Sequence, residues 1–308
     1  MESDFIKSVE LIAEYESYDQ FRESDHFKLS SISVSKLKKI KKSPLHFREE
    51  ETPDTDAFKF GSAYHCYLLE PGKFKDQYHI IDEKTIIDQL IGEGSKKPRS
   101  TSKYKEWLSE HYETANAAGK IILTGDEYYQ IMEMSSRINR HPYAKSLITN
   151  GVAERFLFVR LIDMFENEYF IKLIPDYLKK EKRVCTDLKS AADASNDVFT
   201  KASANNDYHI QAALYSDILA HLYGGSFKFY FLAQEKSKPF AFNIFHASNQ
   251  FISQGRYEYE MLLLLWKQCV TDGKYPGYQV WCENKYGVNE LSLPAWSIKP
   301  LDYYANNL

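Results

Sequence analysis

The stretch Tyr169–Ser190, YFIKLIPDYLKKEKRVCTDLKS, decides the fold. Two runs rich in β-branched and aromatic residues, Tyr169–Leu178 and Arg183–Lys189, flank the charged tetrapeptide Lys179-Lys180-Glu181-Lys182, a pattern that predicts a β-hairpin with a short polar turn. Side chains two apart on a strand point the same way, so Asp187 and Lys189 share one face while Leu188 takes the other. Asp176 stands near the end of the preceding strand, where an antiparallel partner brings its carboxylate towards Asp187. The expected result is a small, oxygen-rich, negative pocket that attracts a hard cation. Mg2+ commonly takes only one or two carboxylates and leaves its other positions to water and substrate phosphate. Such an ion can polarise a phosphoryl oxygen, lower the pKa of bound water and stabilise a leaving oxygen, while Lys189 holds or helps deprotonate the attacking water. Taken alone, an Asp-x-Lys triplet also fits an ordinary solvated strand edge.

Composition frames this reading. With 308 residues, 44% of them hydrophobic, the chain can bury a substantial core as one large domain or two small ones. Its 23 Tyr and 19 Phe suit a β-rich core and leave rings for stacking. The formal net charge of -4 argues mildly against a nucleic-acid binder, because such domains are usually basic. A whole-chain average hides local sign, however: acids gathered around a metal offset a lysine-rich face that tracks phosphates elsewhere. The start, MESDFIKSVE, has no basic segment followed by an apolar core, so no secretory signal is expected. The longest apolar run, Met261–Trp266, falls far short of a membrane span, and a cytoplasmic protein is the expectation. Cys66, Cys185, Cys269 and Cys282 lack C-x-x-C spacing, which argues for reduced, mostly buried thiols and against zinc or a disulfide framework.

N-terminal to the hairpin the apolar period changes from helical to alternating. Glu154–Leu161, Glu168–Leu178 and Arg183–Lys189 read as three successive strands with short polar turns between them. Glu154 begins the first of these strands and either joins the acidic cluster or, the favoured reading, stands as a charged strand end facing water. Upstream, Thr124-Gly125-Asp126-Glu127 is a capping-box pattern that opens a helix through Met132 and Ile138 and stops before Pro142. Residues 72–123 carry a breaker-rich basic loop ahead of a short helix. In FKFGSAYHCYLLEP, residues 58–71, a helix opens near Gly61 and stops at Pro71-Gly72, with His65 inside it. From Ser31 a capped helix carries Leu37 and Ile40 at helical spacing until Pro44. Its Lys36, Lys38, Lys39, Lys41 and Lys42 either meet backbone phosphates or form a solvated face. Residues 1–30 read as a flexible N-terminal arm and 31–308 as a single domain.

C-terminal to the hairpin, the polar stretch 190–206 reads as a connection. It leads to a helix over residues 207–225, where Ile210, Ala213, Leu214, Ile218 and Leu222 form an apolar stripe ending at Gly224-Gly225. Gln211 and Tyr215, four apart, share a face of that helix. Two strands, Phe227–Gln234 and Phe240–Phe245, then precede a helix over Gln254–Val270 that ends at Asp272-Gly273.

Several of these strings together resemble a known family. Pro175-Asp176 followed by Asp187-Leu188-Lys189 is similar to the PD-(D/E)XK nuclease signature. Phe60-Gly61-x-Ala63-x-His65 with Leu69-Glu70-Pro71 resembles the N-terminal motif of the RecE-like, exonuclease VIII type, branch. Gln211-x-x-x-Tyr215 matches the Q-x-x-x-Y motif of RecB-like and RecE-like nucleases. His141-Pro142-Tyr143-Ala144 and Leu291-Ser292-Leu293-Pro294-x-Trp296 add to the likeness, which spans roughly residues 31–297. Ile174 departs from the pattern, since the family often has a basic residue there, and this puts substrate affinity or positioning in question.

The resemblance implies an α/β restriction-endonuclease-like core, a central mixed β-sheet flanked by helices. It implies that His65, Asp176, Asp187 and the backbone carbonyl of Leu188 hold Mg2+, with Mn2+ as a substitute. Lys189 orients the water, and Gln211 and Tyr215 position Lys189 and the strand. The implied reaction is exonucleolytic hydrolysis of linear double-stranded DNA, 5′ to 3′ from duplex ends. Assembly as a homo-oligomeric ring and action beside a single-strand annealing protein in phage-type recombination or repair belong to the same implication. Two rivals stand beside it. One is an iron–sulfur RecB-like nuclease, disfavoured because Cys269 and Cys282 are too far apart for a tight C-terminal cluster. The other is a catalytically silent DNA-binding or scaffolding module, disfavoured by the intact Asp176, Asp187 and Lys189.

Overall fold

Pro175 divides the stretch on which the sequence reading rests. A computed structural model of the chain describes residues 4–50, 56–282, 287–294 and 297–298. Among the described residues the strands are, in chain order, β1 (Ile6–Tyr15), β2 (Ser31–Ser33), β3 (Tyr78–Ile81), β4 (Ile121–Thr124), β5 (Val152–Ala153), β6 (Phe156–Asp163), β7 (Glu168–Leu173), β8 (Tyr177–Lys179), β9 (Val184–Ala191), β10 (Lys228–Glu235) and β11 (Phe242–His246). They form a four-stranded sheet β1-β6-β7-β2, a five-stranded sheet β11-β10-β9-β8-β5, and the small parallel pair β3-β4. The run expected as one strand over Glu168–Leu178 is therefore two strands in two sheets. Proline has no N–H to give to a ladder, so the chain leaves the first sheet after Leu173 and enters the second at Tyr177. The hairpin survives in shorter form, with Tyr177–Lys179 antiparallel to Val184–Thr186 and Arg183 in the left-handed region (φ 52) at the turn.

β9 is the hub of the larger sheet. It runs antiparallel to β8 and parallel to β10, so the sheet is mixed. A parallel neighbour that follows in sequence requires a crossover, which the helices Asn196–Asn205 and Tyr208–Tyr223 provide. The first of these occupies the stretch expected as a polar connection. Phe199 anchors it by stacking on Phe245 with ring centroids 4.6 Å apart. Side chains alternate between the two faces of β9, and residues 185–188 are buried on both. Cys185 joins the core beneath the helix Tyr208–Tyr223, while Leu188 joins a second core with Tyr64, Tyr177 and Leu232 beneath the helix Asp56–Leu69. Helices thus flank the sheet on both faces.

The Tyr208–Tyr223 helix is buried on nearly every side, with Ile210, Leu214 and Ile218 all fully inaccessible, each contributing about 1.5–3 kcal/mol of burial. It is clamped to the C-terminal helix Asn249–Asp272 by Asp217, whose carboxylate accepts from Arg256 Nε (2.8 Å), Arg256 Nη2 (2.6 Å) and the Tyr259 hydroxyl (2.7 Å). Gly255 is required where the two helices touch, because a Cβ there would lie 2.0 Å from the His209 carbonyl oxygen.

Several local expectations change. Residues 6–15, expected within a flexible arm, pair along β6 from Ile6 opposite Asp163 to Tyr15 opposite Phe156, and Phe21 behind them is fully buried on Phe156 and Phe158. The charged exterior of β1 disguises an edge strand as a tail. Residues 72–123 contain the helices Glu83–Gly92 and Ser102–Ala117 between β3 and β4 rather than a loop before one short helix. The capping box at Thr124 forms with both its hydrogen bonds. Trp296 of the C-terminal string lies outside the described residues, as do residues 299–308. Among the described residues no helix is long and apolar enough to cross a membrane.

Candidate metal centre

The break at Pro175 is what creates the site. Leu188 on β9 extends beyond the end of β8, so its N–H has no strand partner on that side; the Asp176 carboxylate takes the bond instead, Leu188 N to Asp176 Oδ2 at 2.7 Å. On an extended strand the amide and carbonyl of one residue project to the same edge, so the Leu188 carbonyl faces the Asp176 side as well. A second break lies between β5 and β6. There Glu154 adopts the left-handed conformation (φ 48), uncommon for a residue other than glycine, and its N–H donates to the Asp176 carbonyl at 3.1 Å. The two interruptions are thus tied to each other.

Into this gap the helix Asp56–Leu69 delivers His65. The preceding residue, Tyr64, is fully buried and donates to Gln234 Oε1, and Gln234 Nε2 in turn bonds the carbonyls of Met134 (3.0 Å) and Phe240 (3.2 Å). This buried network fixes the rotation of the helix and hence the direction of His65. His65 Nδ1 lies 3.5 Å from Glu154 Oε1 and 3.5 Å from Asp176 Oδ2, and one ligand atom from each of the three residues falls within 4.8 Å of the others. Two ligands that each stand about 2.1 Å from a shared ion are at most about 4.2 Å apart, so the two 3.5 Å separations from His65 Nδ1 suit one divalent cation.

The electrostatics agree with that fit. Asp176 has a side chain only 14% exposed, and burial, with the Asp187 charge beside it, pushes its carboxyl up to about 8. Burial works against a charged His65, but Asp176 and Glu154 outweigh it and raise the imidazole to about 9. Such a cluster carries more negative charge than the buried space tolerates, and either protons or a cation must balance it.

Asp187 and Lys189 do share a face of β9, the one beneath the Tyr208–Tyr223 helix. Asp187 is 2% exposed, its Oδ2 accepts from Gln211 Nε2 at 2.5 Å, and its Oδ1 meets Lys189 Nζ at 2.6 Å as an ion pair, with no other hydrogen bond to that oxygen. Gln211 Oε1 faces Lys189 Nζ at 3.4 Å, which gives the amide a donor and an acceptor partner. Tyr215, one turn on, accepts the Ile174 N–H at 3.1 Å and so holds the end of β7 just ahead of Pro175-Asp176. Burial lifts the Tyr215 phenol above the ordinary tyrosine range, so it stays neutral. Burial disfavours the Lys189 ammonium, but Asp187 and Asp176 overcome this and raise its pKa above the usual lysine value.

The structure therefore brings His65, Asp176, Asp187, Leu188, Lys189, Gln211 and Tyr215 to one place. Asp187 stands beside the His65–Glu154–Asp176 triad, engaged by Lys189 and Gln211. Glu154, for which the sequence favours a strand end in water over a place in the acidic cluster, is a corner of the triad, brought there by its tertiary bond to the Pro175 break. Tyr208, which opens the phrase around Gln211 and Tyr215 but carries no role in the sequence reading, also belongs to the site. Lys189 Nζ lies 4.7 Å from its ring centroid, and its position three residues before Gln211 on the same helix face was the available signal. The site opens into a cleft of about 580 Å³ bordered by His65, Glu154, Lys189 and Tyr208.

Residues 33–286 match the family model described as "PDDEXK-like domain of unknown function (DUF3799)". No curated protein matches the chain. Among solved structures, the fold is similar to that of a protein from Eubacterium rectale described as a "putative exonuclease", at a TM-score of 0.54 and 17% identity, covering 94% of this chain and 99% of that one. The family match spans most of the chain and includes every residue of the triad and of the Asp187–Lys189–Gln211 cluster, and the chain belongs to the PDDEXK-like domain family.

Proposed function

We propose that the protein is a metal-dependent deoxyribonuclease that degrades linear double-stranded DNA from its ends, in the manner of RecE-like, exonuclease VIII type, enzymes. The observation that carries this reading is the convergence of the His65–Glu154–Asp176 triad with the Asp187–Lys189–Gln211 cluster, with His65, Glu154 and Lys189 reaching one cleft. His65, Glu154 and Asp176 would hold Mg2+ or Mn2+, with Asp187 and the Leu188 carbonyl completing the set. The bound ion would supply Lewis acidity towards the phosphoryl oxygen and a lowered pKa for water.

The chain's own groups do the rest. Lys189 is held protonated by Asp187, so it acts as a donor, orienting the attacking water and offsetting charge on a phosphoryl oxygen rather than taking up the proton. Gln211 fixes Lys189 and Asp187 relative to each other, and Tyr215 fixes the segment that carries Asp176. The 5′ to 3′ direction, the ring assembly and the annealing partner in recombination rest on the RecE-like resemblance; light scattering on and off DNA tests the ring.

Digestion of end-labelled linear duplex, with and without Mg2+, tests the activity. Wild type should degrade the duplex only with the metal, and Lys189→Ala and Asp187→Ala should each lose activity almost completely. Equal digestion by all three proteins would sink the assignment.

A further inference from the structure

We propose that a lysine-lined cavity on the far side of Gln211 is a phosphate subsite for the nucleic-acid strand being cut, a proposal that rests on the nuclease reading of the neighbouring site. The cavity encloses about 640 Å³ and takes Lys36, Lys38, Lys39 and Lys172 into its wall, together with Gln211 and Tyr215. Tyr18, Phe156 and Ile174 border both this cavity and the metal cleft, so the two are adjacent compartments with a common partition. Gln211 touches Asp187 and Lys189 on one side and the lysine cavity on the other.

Three of these lysines stand without a paired carboxylate. Among the described residues Lys36, Lys38 and Lys172 have no carboxylate within ion-pair distance. Lys36 bonds the Ser31 carbonyl at 3.2 Å, Lys38 bonds the Asn206 carbonyl at 2.5 Å, and Lys172 Nζ stands 5.5 Å from the Phe21 ring centroid. Glu50, the carboxylate on the wall, is already paired with Lys42 at 3.1 Å. Lys41, on the same helix as Lys36 and Lys38, shows the contrast: it points away from the cavity and is neutralised by Asp207 (2.5 Å) and Glu258 (2.6 Å). Half-buried ammonium groups crowded together without anions are costly, and a phosphate removes that cost. In keeping with this, burial and the charge of Lys36 push Lys172 down to about 8. Lys172, near the end of β7, and Ile174, just beyond that strand, both line this wall.

The ligand class is a phosphate group of a polynucleotide. A terminal monophosphate and an internal diester share that chemistry, and the substrates separate them. Binding is measured in EDTA, where no cleavage occurs, by anisotropy of single-stranded oligonucleotides with an internal fluorophore and a 5′-phosphate, a 3′-phosphate or two hydroxyl ends. Lys36→Met/Lys172→Met keeps the aliphatic stems and removes both charges. It should weaken binding by about tenfold or more near 0.1 M salt and flatten the dependence of log K on log salt by about 0.7 for each phosphate no longer neutralised. Lys36→Arg/Lys172→Arg should retain affinity and slope. Loss confined to phosphorylated ends assigns a terminal phosphate; equal loss on all three assigns internal diesters. Unchanged affinity and slope in a Met variant that melts cooperatively overturns the subsite, and Lys172→Met alone carries the same test if the double variant does not fold. A wild type that binds in this lysine-dependent way but cuts nothing with any divalent metal refutes the nuclease reading instead.

Discussion

Replacing Glu154 with Gln tests the site at the corner of the triad that stands on the second chain break. The side chain keeps its shape and loses its charge 3.5 Å from His65 Nδ1. At an effective dielectric of about 20, unit charges about 4 Å apart interact by about 4 kcal/mol. The two side chains are 24% and 26% exposed, so water screens a large part of this. A shift of about one pKa unit, about 1.4 kcal/mol, is the expected remainder. In the metal-free protein the His65 imidazole, held up at about 9, should then titrate near 8 in Glu154→Gln, read from its ring proton by NMR. Calorimetric titration with Mn2+ should show the other half of the effect, an affinity loss of about tenfold or more, as expected for a carboxylate ligand. An unmoved imidazole together with Mn2+ affinity within about twofold of wild type would show that Glu154 is no part of the centre.

The pH dependence follows from the same cluster. Asp176 (about 8) and His65 (about 9) both titrate above their unfolded values of about 3.9 and 6.5, so their protonated forms stabilise the metal-free fold at low pH, and this stabilisation fades as pH rises through about 8 and about 9. A cation must displace those protons, so the rise in Tm produced by Mg2+ or Mn2+ should grow from pH 6 to pH 9, and a rise that is flat with pH would contradict the ligand set. Tyr215→Phe removes the acceptor of the Ile174 N–H and should cost about 1–3 kcal/mol in urea melts with some loss of Mn2+ affinity, because the segment carrying Asp176 is released; wild-type stability would mean that the hydroxyl does not hold it. Asp217→Ala removes a buried carboxylate from the half-buried Arg256 and should cost about 3 kcal/mol, and a cost below about 1 kcal/mol would show that the two helices are clamped by packing alone.

Much of this architecture was legible in one dimension because its causes are local. Alternation along β9 sets Asp187 and Lys189 against Leu188, helical spacing sets Gln211 beside Tyr215, and the Thr124 capping box marks a helix start through neighbours three residues apart. Each follows from backbone geometry acting over a few residues. The family motifs extended that reach, since they record which distant strings occur together.

Other features depended on pairings that no window of sequence contains. β1 is polar outside and shows its strand character only by pairing with β6, more than a hundred residues away in sequence. The Pro175 break looked like part of one strand until its halves were seen in separate sheets. Glu154 comes beside His65 and Asp176 because its own chain interruption is bonded to the one at Asp176, and Lys172 faces the same cavity as Lys36 because β7 lies beside β2. Residue spacing alone determined which side chains share a face of one element; the sheet-to-sheet crossing decided which faces meet, because that choice is made by burial summed over the whole core.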